Sequence, residues 1–157
     1  MKLSAREDIE VPLDAVFREL SDFPAMEELA RHRGAVVTRL DNREPPGPGL
    51  VWQVQFRFRG RRREAKITLS DYSPAQRMVF DMVSGGLEIN SILEFTALSR
   101  THTRIGINID LQPKTLSARL MVQSMKLMRG GLEKRFRKRM VTMADTLEAR
   151  LRSRETS

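Results

Sequence analysis

Apolar residues follow one spacing near the start of the chain and another through its middle. Residues 2–10 predict a short first strand. In residues 11–34 apolar residues recur every three or four positions, which predicts two short helices. Pro12 suits the start of the first, Ser21 or Asp22 can cap the second, and Gly34 ends it. From Ala35 onward apolar and polar residues alternate, which is typical of strands with one buried face.

These alternating runs are separated by short turn sequences rich in Gly, Pro and Arg. The stretch NREPPGPG predicts a loop over residues 42–49, GRRR a tight turn over 60–63, and Gly85 with Gly86 another turn. The last run extends from His102 to Leu111. Consecutive runs of this kind predict an antiparallel meander that is covered on one side only.

The run SGGLEINSILEFTA, residues 84–97, fixes which face of the meander is buried. Every second residue of this run is mainly apolar, and these residues are Leu87, Ile89, Ser91, Leu93 and Phe95. This set matches the apolar faces of the neighbouring runs. A shift of one residue would expose all five, so the register is strongly specified. We therefore predict that the alternate positions, Glu88, Asn90 and Glu94, lie on the outer face. Ile92 is the one discordant position, and a local bulge there is left open.

Residues 114–152 predict a long amphipathic helix that covers the sheet. Their apolar residues recur at steps of three and four and are Leu120, Met121, Val122, Met125, Met128, Leu132, Phe136, Met140, Met143, Leu147 and Leu151. Gly130 and Gly131 interrupt this pattern at a cost of about 1 kcal/mol each. Two interpretations stay open, namely a break between two helices and a close approach or hinge at the mouth of a cavity.

Four segments in this order resemble the START-like helix-grip superfamily of SRPBCC and polyketide cyclase/dehydrase-like proteins. They are IEVPLDAVFRELSDF (9–23), PGPGLVWQVQF (46–56), LSDYSPAQRMVFDM (69–82) and MADTLEARL (143–151), and together they cover nearly the whole chain. The resemblance implies an α+β helix-grip fold in a single domain over residues 1–157. A curved antiparallel sheet of about seven strands would wrap around a long C-terminal helix, with two short helices after the first strand.

The resemblance also implies a cavity between the sheet and the terminal helix. Its members include lipid carriers, aromatase/cyclases, coenzyme Q-binding proteins and a ribosome-associated toxin branch, so it implies no single activity. The methionines of the terminal helix suit a surface that adapts to varied apolar partners. The predicted ligand-cavity residues are Trp52, Val54, Phe56, Ile67, Leu69, Phe80, Met82, Ile89, Ser91, Leu93, Thr103, Ile105, Ile107, Met121, Met125 and Met128. A solid core built from the same residues is the alternative.

Few residues on the predicted inner face could support catalysis. The chain has no cysteine, and neither of its two histidines, His32 and His102, has a partner at metal-ligand spacing. Ser91 and Thr103 are the polar residues of that face, and we expect them to orient a ligand or to bond to the backbone. Glu7 and Asp71 can reach the face only at strand ends. We therefore expect no metal and no cofactor, and binding is favoured over catalysis.

The net charge is +8, and two clusters of basic residues stand out. We call them the hairpin cluster (Arg57, Arg59, Arg61, Arg62 and Arg63) and the helix cluster (Lys134, Arg135 and Lys138). A solvated surface, an anionic membrane surface, and a ribosome or other RNA bound through phosphates are all compatible with them. Trp52, Phe56 and Phe58 alternate with Arg57 and Arg59, so these aromatics are expected to be buried rather than stacked on bases. No DNA sequence recognition is expected.

The pattern favours a protein that binds, and can transport, a hydrophobic or amphipathic small molecule or lipid. A ribosome- or RNA-associated regulatory protein is the alternative, and a cyclase/aromatase-type enzyme is the third interpretation. Charges at Arg6, Glu7 and Asp8 interrupt the apolar core that a signal peptide needs, and no apolar run approaches the roughly 20 residues of a membrane span. We therefore expect a cytoplasmic protein.

Overall fold

The computed structural model describes residues 1–40 and 47–155, so most of the loop predicted over residues 42–49 lies outside the described residues. The strands are β1 (Lys2–Ile9), β2 (Val36–Arg39), β3 (Leu50–Phe58), β4 (Arg61–Ser73), β5 (Arg77–Ser84), β6 (Leu87–Ala97) and β7 (Thr103–Pro113). The helices are α1 (Leu13–Leu20), α2 (Phe23–His32), α3 (Leu116–Leu127) and α4 (Arg129–Glu155).

All seven strands join one antiparallel sheet in the order β1-β7-β6-β5-β4-β3-β2. Directly opposed residues of antiparallel strands share a face. One such row crosses the sheet through Leu50, Leu69, Phe80, Ser91 and Ile109. This row belongs to the inner face, toward which the helices pack, and the predicted α+β helix-grip architecture is confirmed.

The sheet contains one register shift, in β4. Leu69 opposes Phe80 and Asp71 opposes Val79, so Ser70 is the extra residue. The bulge leaves Asp71 on the outer face and turns Tyr72 inward, where its ring centroid lies 5.6 Å from that of Phe17. Ile92, the position left open for a bulge, instead pairs regularly with Val79 and Asn108 and faces outward.

Short-range hydrogen bonds set where the helices begin. Asp22 caps α2 by accepting from the Ala25 backbone N–H at 3.2 Å, and Thr115 caps α3 by accepting from that of Ala118 at 3.2 Å. The terminal segment is two helices rather than one. The break falls at Met128, and Gly130 and Gly131 lie in the first turn of α4. None of the helices in the described part of the chain is long and apolar enough to cross a membrane.

Two separate core clusters hold the helices on the sheet. The larger one joins α1, α2 and the last turns of α4 to the sheet, and its most buried residues are Val11, Val16, Phe23, Leu50, Leu69 and Met78. The smaller one joins α3 to Leu3, Leu87 and Leu111 through Ala118 and Val122. Leu120, Met128 and Met143, three residues of the predicted apolar stripe, are exposed.

Thr103 ties the larger cluster together through one buried hydrogen bond. Its side chain is fully buried and its hydroxyl donates to the Val11 carbonyl at 2.7 Å. Thr103→Val should destabilise the protein by about 1–3 kcal/mol, because a buried carbonyl loses its donor. Urea unfolding checks the value, with Thr96→Val, at an exposed position of β6, as the matched control. Equal stability of the two variants would contradict the role of this bond.

Candidate functional site

The inner face of the sheet is solid at its two ends and incompletely covered between them. The larger cluster fills one end and the smaller cluster the other. Met82, Ser91 and Ile107 lie between them, are half-buried and belong to neither cluster. The helices above leave the same gap, since the stretch 123–143 contains no fully buried residue. This middle part of the inner face is therefore the place where the fold has room for another molecule.

A cleft of about 740 Å³ opens between the α3–α4 break and the tip of the β3–β4 hairpin. Its apolar wall is formed by six side chains, which are Leu3, Phe58, Met125, Met128, Leu132 and Phe136. Phe58 was expected to be buried with Trp52 and Phe56, and this expectation is wrong. Its side chain is 44% exposed because the hairpin tip extends past the helices that cover the rest of β3.

Four cations line the same cleft and come from opposite sides of it. Arg59 belongs to the hairpin, whereas Arg135, Lys138 and Arg139 belong to α4. Arg59 adopts a positive φ of 53° in the turn, next to Gly60 at 72°, so the turn itself directs this side chain. Its guanidinium carbon lies 5.4 Å from the centroid of the Phe58 ring. The fold thus brings parts of the two basic clusters together.

The cations of the cleft have no acidic partner among the described residues. No described carboxylate lines the cleft, and none of the four cations forms an ion pair with a described residue. Among the described residues, the Arg135 side chain donates only to the Gly131 carbonyl of its own helix, at 3.4 Å. Like charges gathered without a counterion attract an anion.

A second, smaller recess lies under α2, at the other side of the sheet's middle. It measures about 160 Å³, and its apolar lining is Phe23, Met26, Ala30, Val37, Trp52, Val54, Ile67 and Phe80. Glu27 also lines it and is held by Arg39, whose Nη2 donates to Glu27 Oε2 at 2.6 Å. The Trp52 indole N–H is buried and has no hydrogen-bond partner among the described residues.

The acidic residues of the sheet lie mainly on its outer face. The structure places Glu88, Asn90 and Glu94 there, opposite Val83, Asp81 and Arg77. Asp71 also faces outward, and hydrogen bonds from Ser73 and then from Arg77 hold the pKa of its carboxyl below the usual value. Glu7 pairs with Ile105 and therefore lies on the inner face, but its strand, β1, is at the edge of the sheet. Within the described residues, no group of three or more His, Asp or Glu side chains could hold a metal ion.

The predicted cavity residues are distributed over several surroundings. Trp52, Val54, Ile67 and Phe80 line the recess, and Met125 and Met128 line the cleft. Met82, Ser91 and Ile107 are half-buried in the middle of the inner face, whereas Leu93 and Ile105 pack against the larger cluster and Ile89 packs against the smaller one. Phe56 lines a groove of about 470 Å³ beside the end of α2, and Met121 packs against the smaller cluster. Leu69 and Thr103 lie inside the solid core, where the Thr103 hydroxyl is already bonded.

The basic clusters divide in a similar way. Arg59, Arg135 and Lys138 reach the cleft, whereas Arg57 opposes Arg62 on the outer face. Arg61 and Arg63 lie in β4 rather than in the turn, opposite Phe58 and Phe56. Lys134 is exposed on α4 and does not line the cleft. The cleft is lined in addition by residues outside the predicted site, which are Leu3, Phe58, Leu132, Phe136, Arg139 and Thr142. Of these, Leu132 and Phe136 could have been found from the helical stripe and Arg139 from the basic run 133–140.

The chain is similar in fold to proteins of varied activity. The Zhui aromatase/cyclase from Streptomyces sp. R1128 is 12% identical, with a TM-score of 0.66 over 98% of this chain and 94% of that one. Norcoclaurine synthase from Thalictrum flavum is 13% identical, with a TM-score of 0.65 over 94% and 91%. A START superfamily protein from Mycobacterium smegmatis is 14% identical, with a TM-score of 0.54 over 85% and 95%. Identities this low establish the fold alone.

Sequence comparison gives the family but no individual relative. No curated protein matches the chain. The family model described as polyketide cyclase / dehydrase and lipid transport matches residues 1–148. That span includes the whole sheet, α1 to α3 and most of α4, with every residue that lines the cleft and the recess. The chain therefore belongs to the polyketide cyclase / dehydrase and lipid transport family.

Proposed function

We propose that this protein binds an amphipathic molecule, with an apolar body and an anionic group, between the sheet and helices α3 and α4. The observation that carries the proposal is the cleft itself, whose wall is apolar and whose four cations have no acidic partner among the described residues. A lipid or fatty acid has this combination of properties. The family description, which includes lipid transport, agrees with it.

The size of the cleft suits a small molecule. Ligand sites in proteins commonly measure about 300–1,000 Å³, and the cleft measures about 740 Å³. Its wall contains the flexible methionines Met125 and Met128 together with the aromatic rings of Phe58 and Phe136. Each methylene removed from water by such a wall contributes about 0.8 kcal/mol. The apolar body therefore supplies most of the affinity, and Met side chains allow it to vary in shape.

The cations select the polar end of the ligand. Arg59 approaches from the hairpin, and Arg135 and Arg139 approach from α4. A guanidinium group can donate two parallel hydrogen bonds to a carboxylate or a phosphate, which gives direction as well as attraction. A ligand anion between these side chains would relieve the repulsion among them. We infer that the anionic group sits at the mouth of the cleft and the apolar body points inward.

The apolar body would extend along the half-buried middle of the inner face, past Ile107 and Met82, toward the recess under α2. Trp52 lines that recess, and its buried N–H lacks a partner among the described residues, so an acceptor atom of a ligand could use it. The chain has one tryptophan, so its fluorescence reports on this place alone.

Binding is favoured over the other two interpretations. Catalysis by proton abstraction needs a base facing the substrate, and the described lining of the cleft contains neither a carboxylate nor a histidine. The recess contains one carboxylate, that of Glu27, which is paired with Arg39. The RNA interpretation needs a cationic surface with several stacking platforms, whereas Phe58 is the one exposed aromatic side chain among the described residues, and it lines the cleft. A cyclase-type enzyme and a ribosome-associated protein are therefore not supported by a specific contact.

Oleate and oleyl alcohol, which share one hydrocarbon chain, test the preference for an anion. Titration of the protein with oleate should change Trp52 emission saturably at one site. Oleyl alcohol should bind at least about tenfold more weakly, because a charged hydrogen bond contributes about 1.5–3 kcal/mol. Equal affinity for the acid and the alcohol would contradict the role assigned to the cations.

Substitutions on α4 test which cations hold the anionic group. Arg135→Ala with Arg139→Ala should weaken oleate binding by about tenfold or more and leave oleyl alcohol binding nearly unchanged. Arg137→Ala is the matched control, because Arg137 lies on the same helix but lines a different groove, with Lys2, Asn90 and Glu133. Fluorescence titration gives all the affinities. An oleate affinity that falls equally in the control would point to net charge rather than to the cleft.

Two isoleucines test where the hydrocarbon lies. Ile107→Glu places a charge on the middle of the inner face and should abolish binding of both oleate and oleyl alcohol, since a buried carboxylate is costly to desolvate. Ile92→Glu places the same charge on the outer face, opposite Val79 and Asn108, and should leave both affinities unchanged. Circular dichroism establishes that each variant is folded. A folded Ile107→Glu variant that retains full binding would place the ligand elsewhere.

A further inference from the structure

Helix α3 carries two apolar faces, of which the sheet covers only one. Ala118 and Val122 are buried against the smaller core cluster. On the opposite face, Leu116, Leu120 and Leu127 are 73%, 60% and 89% exposed. Their spacing of four and seven residues aligns them along the helix. We call these three residues the leucine stripe. Isolated exposed leucines are ordinary, but an aligned set on one helix indicates an interaction surface.

The surroundings of the leucine stripe are cationic. Arg119 and Lys126 border it on one side, and the small polar residues Ser117 and Ser124 border it on the other. The sequence contains no Asp or Glu between residues 111 and 132. Lys114 and Arg129, at the two ends of α3, have acidic partners in Glu88 and Glu133. Arg119 and Lys126 have none among the described residues.

We propose that the leucine stripe docks this protein on the surface of an anionic lipid bilayer. A helix with leucines on one face and bordering Lys and Arg side chains lies in the plane of the interface, with its apolar face inserted among the lipids. The bordering cations would add attraction to anionic headgroups. This inference does not depend on what fills the cleft.

The same charges disfavour other occupants of the stripe. A second copy of the chain would bring further cations and no acidic side chain of α3 to the interface, so like charges would oppose the pairing. RNA would be attracted by Arg119 and Lys126, but leucine side chains give its bases no aromatic ring to stack on. An anionic bilayer is the partner that satisfies both the apolar stripe and its cationic border.

Docking through α3 would place the mouth of the cleft beside the lipid. Met125 belongs to α3 and Met128 is its C-cap residue, and both line the cleft. Leu127, the most exposed residue of the stripe, lies between them in sequence. A lipid or fatty acid that leaves the bilayer would therefore have a short path into the cleft.

Cosedimentation with vesicles tests the docking directly. The full chain should sediment with vesicles of phosphatidylcholine containing phosphatidylglycerol, and much less with phosphatidylcholine alone. The combined change Leu116→Ser, Leu120→Ser and Leu127→Ser should reduce the vesicle-bound partition coefficient by at least about tenfold, because three inserted side chains are lost. Leu29→Ser with Leu98→Ser, at exposed leucines of α2 and of the β6–β7 turn, is the matched control and should bind as the unaltered chain does.

A second variant examines the cationic border. Arg119→Glu with Lys126→Glu should also abolish sedimentation with the anionic vesicles. Neither α3 variant should change the affinity for oleate in solution, so loss of docking and failure of the cleft proposal are distinguishable. Failure of the unaltered chain to sediment, or unchanged sedimentation of the leucine variant, would overturn the proposal. A dimer in analytical ultracentrifugation that the leucine variant dissociates would also overturn it, because a second copy would then cover the stripe.

Discussion

The pleat of the sheet is the constraint on which the rest of this structure depends. Antiparallel pairing sends alternate side chains of every strand to one face, and rows such as Leu50, Leu69 and Phe80 make that face apolar across the sheet. An apolar face of seven strands must be covered, and the helices cover it only at two places. The larger cluster closes one end through Phe23 and Leu147, and the smaller cluster closes the other through Val122.

The break at Met128 decides what happens between those two places. A single straight helix would pack one continuous apolar stripe against the sheet. Two helices can instead each pack against a different end of the sheet. The last turns of α4 bury Ala144, Leu147 and Leu151, and α3 buries Ala118 and Val122. The stretch 123–143 between these anchors has no fully buried residue, and its side chains form one wall of the cleft. Leu120 lies on the face of α3 opposite the buried Ala118 and Val122, and with Leu116 and Leu127 it forms the leucine stripe.

The alternation of apolar and polar residues predicted the strands well, because every second side chain of a strand points to the same face. The parity of residues 84–97 placed Glu88, Asn90 and Glu94 on the outer face, where the structure has them. The bulge was harder to locate, since Ile92 breaks the apolar pattern but pairs regularly, whereas Ser70, which fits the pattern, is the extra residue. A polar residue at an outer position gives no signal that an insertion follows.

The site was less predictable because it depends on contacts between distant segments. Arg59 and Arg139 occur in two separate basic runs, and nothing in the spacing of either run shows that they line one cleft. The role of Thr103 was also not predictable from the sequence. A hydroxyl on the inner face can form a hydrogen bond with a ligand or with the backbone, and here it donates to the Val11 carbonyl. The place of the helix break was also hard to predict, because the glycines at 130 and 131 mark it only approximately.

The central claim is that the cleft between the hairpin and α4 holds an amphipathic anion, and a crystal structure of the protein with oleate tests it most directly. The account predicts electron density for the hydrocarbon against Phe58, Met125 and Phe136, with the carboxylate within ion-pair distance of Arg59, Arg135 or Arg139. Density for oleate that lies elsewhere on the protein, or a cleft that stays free of oleate at saturating concentration, would contradict it.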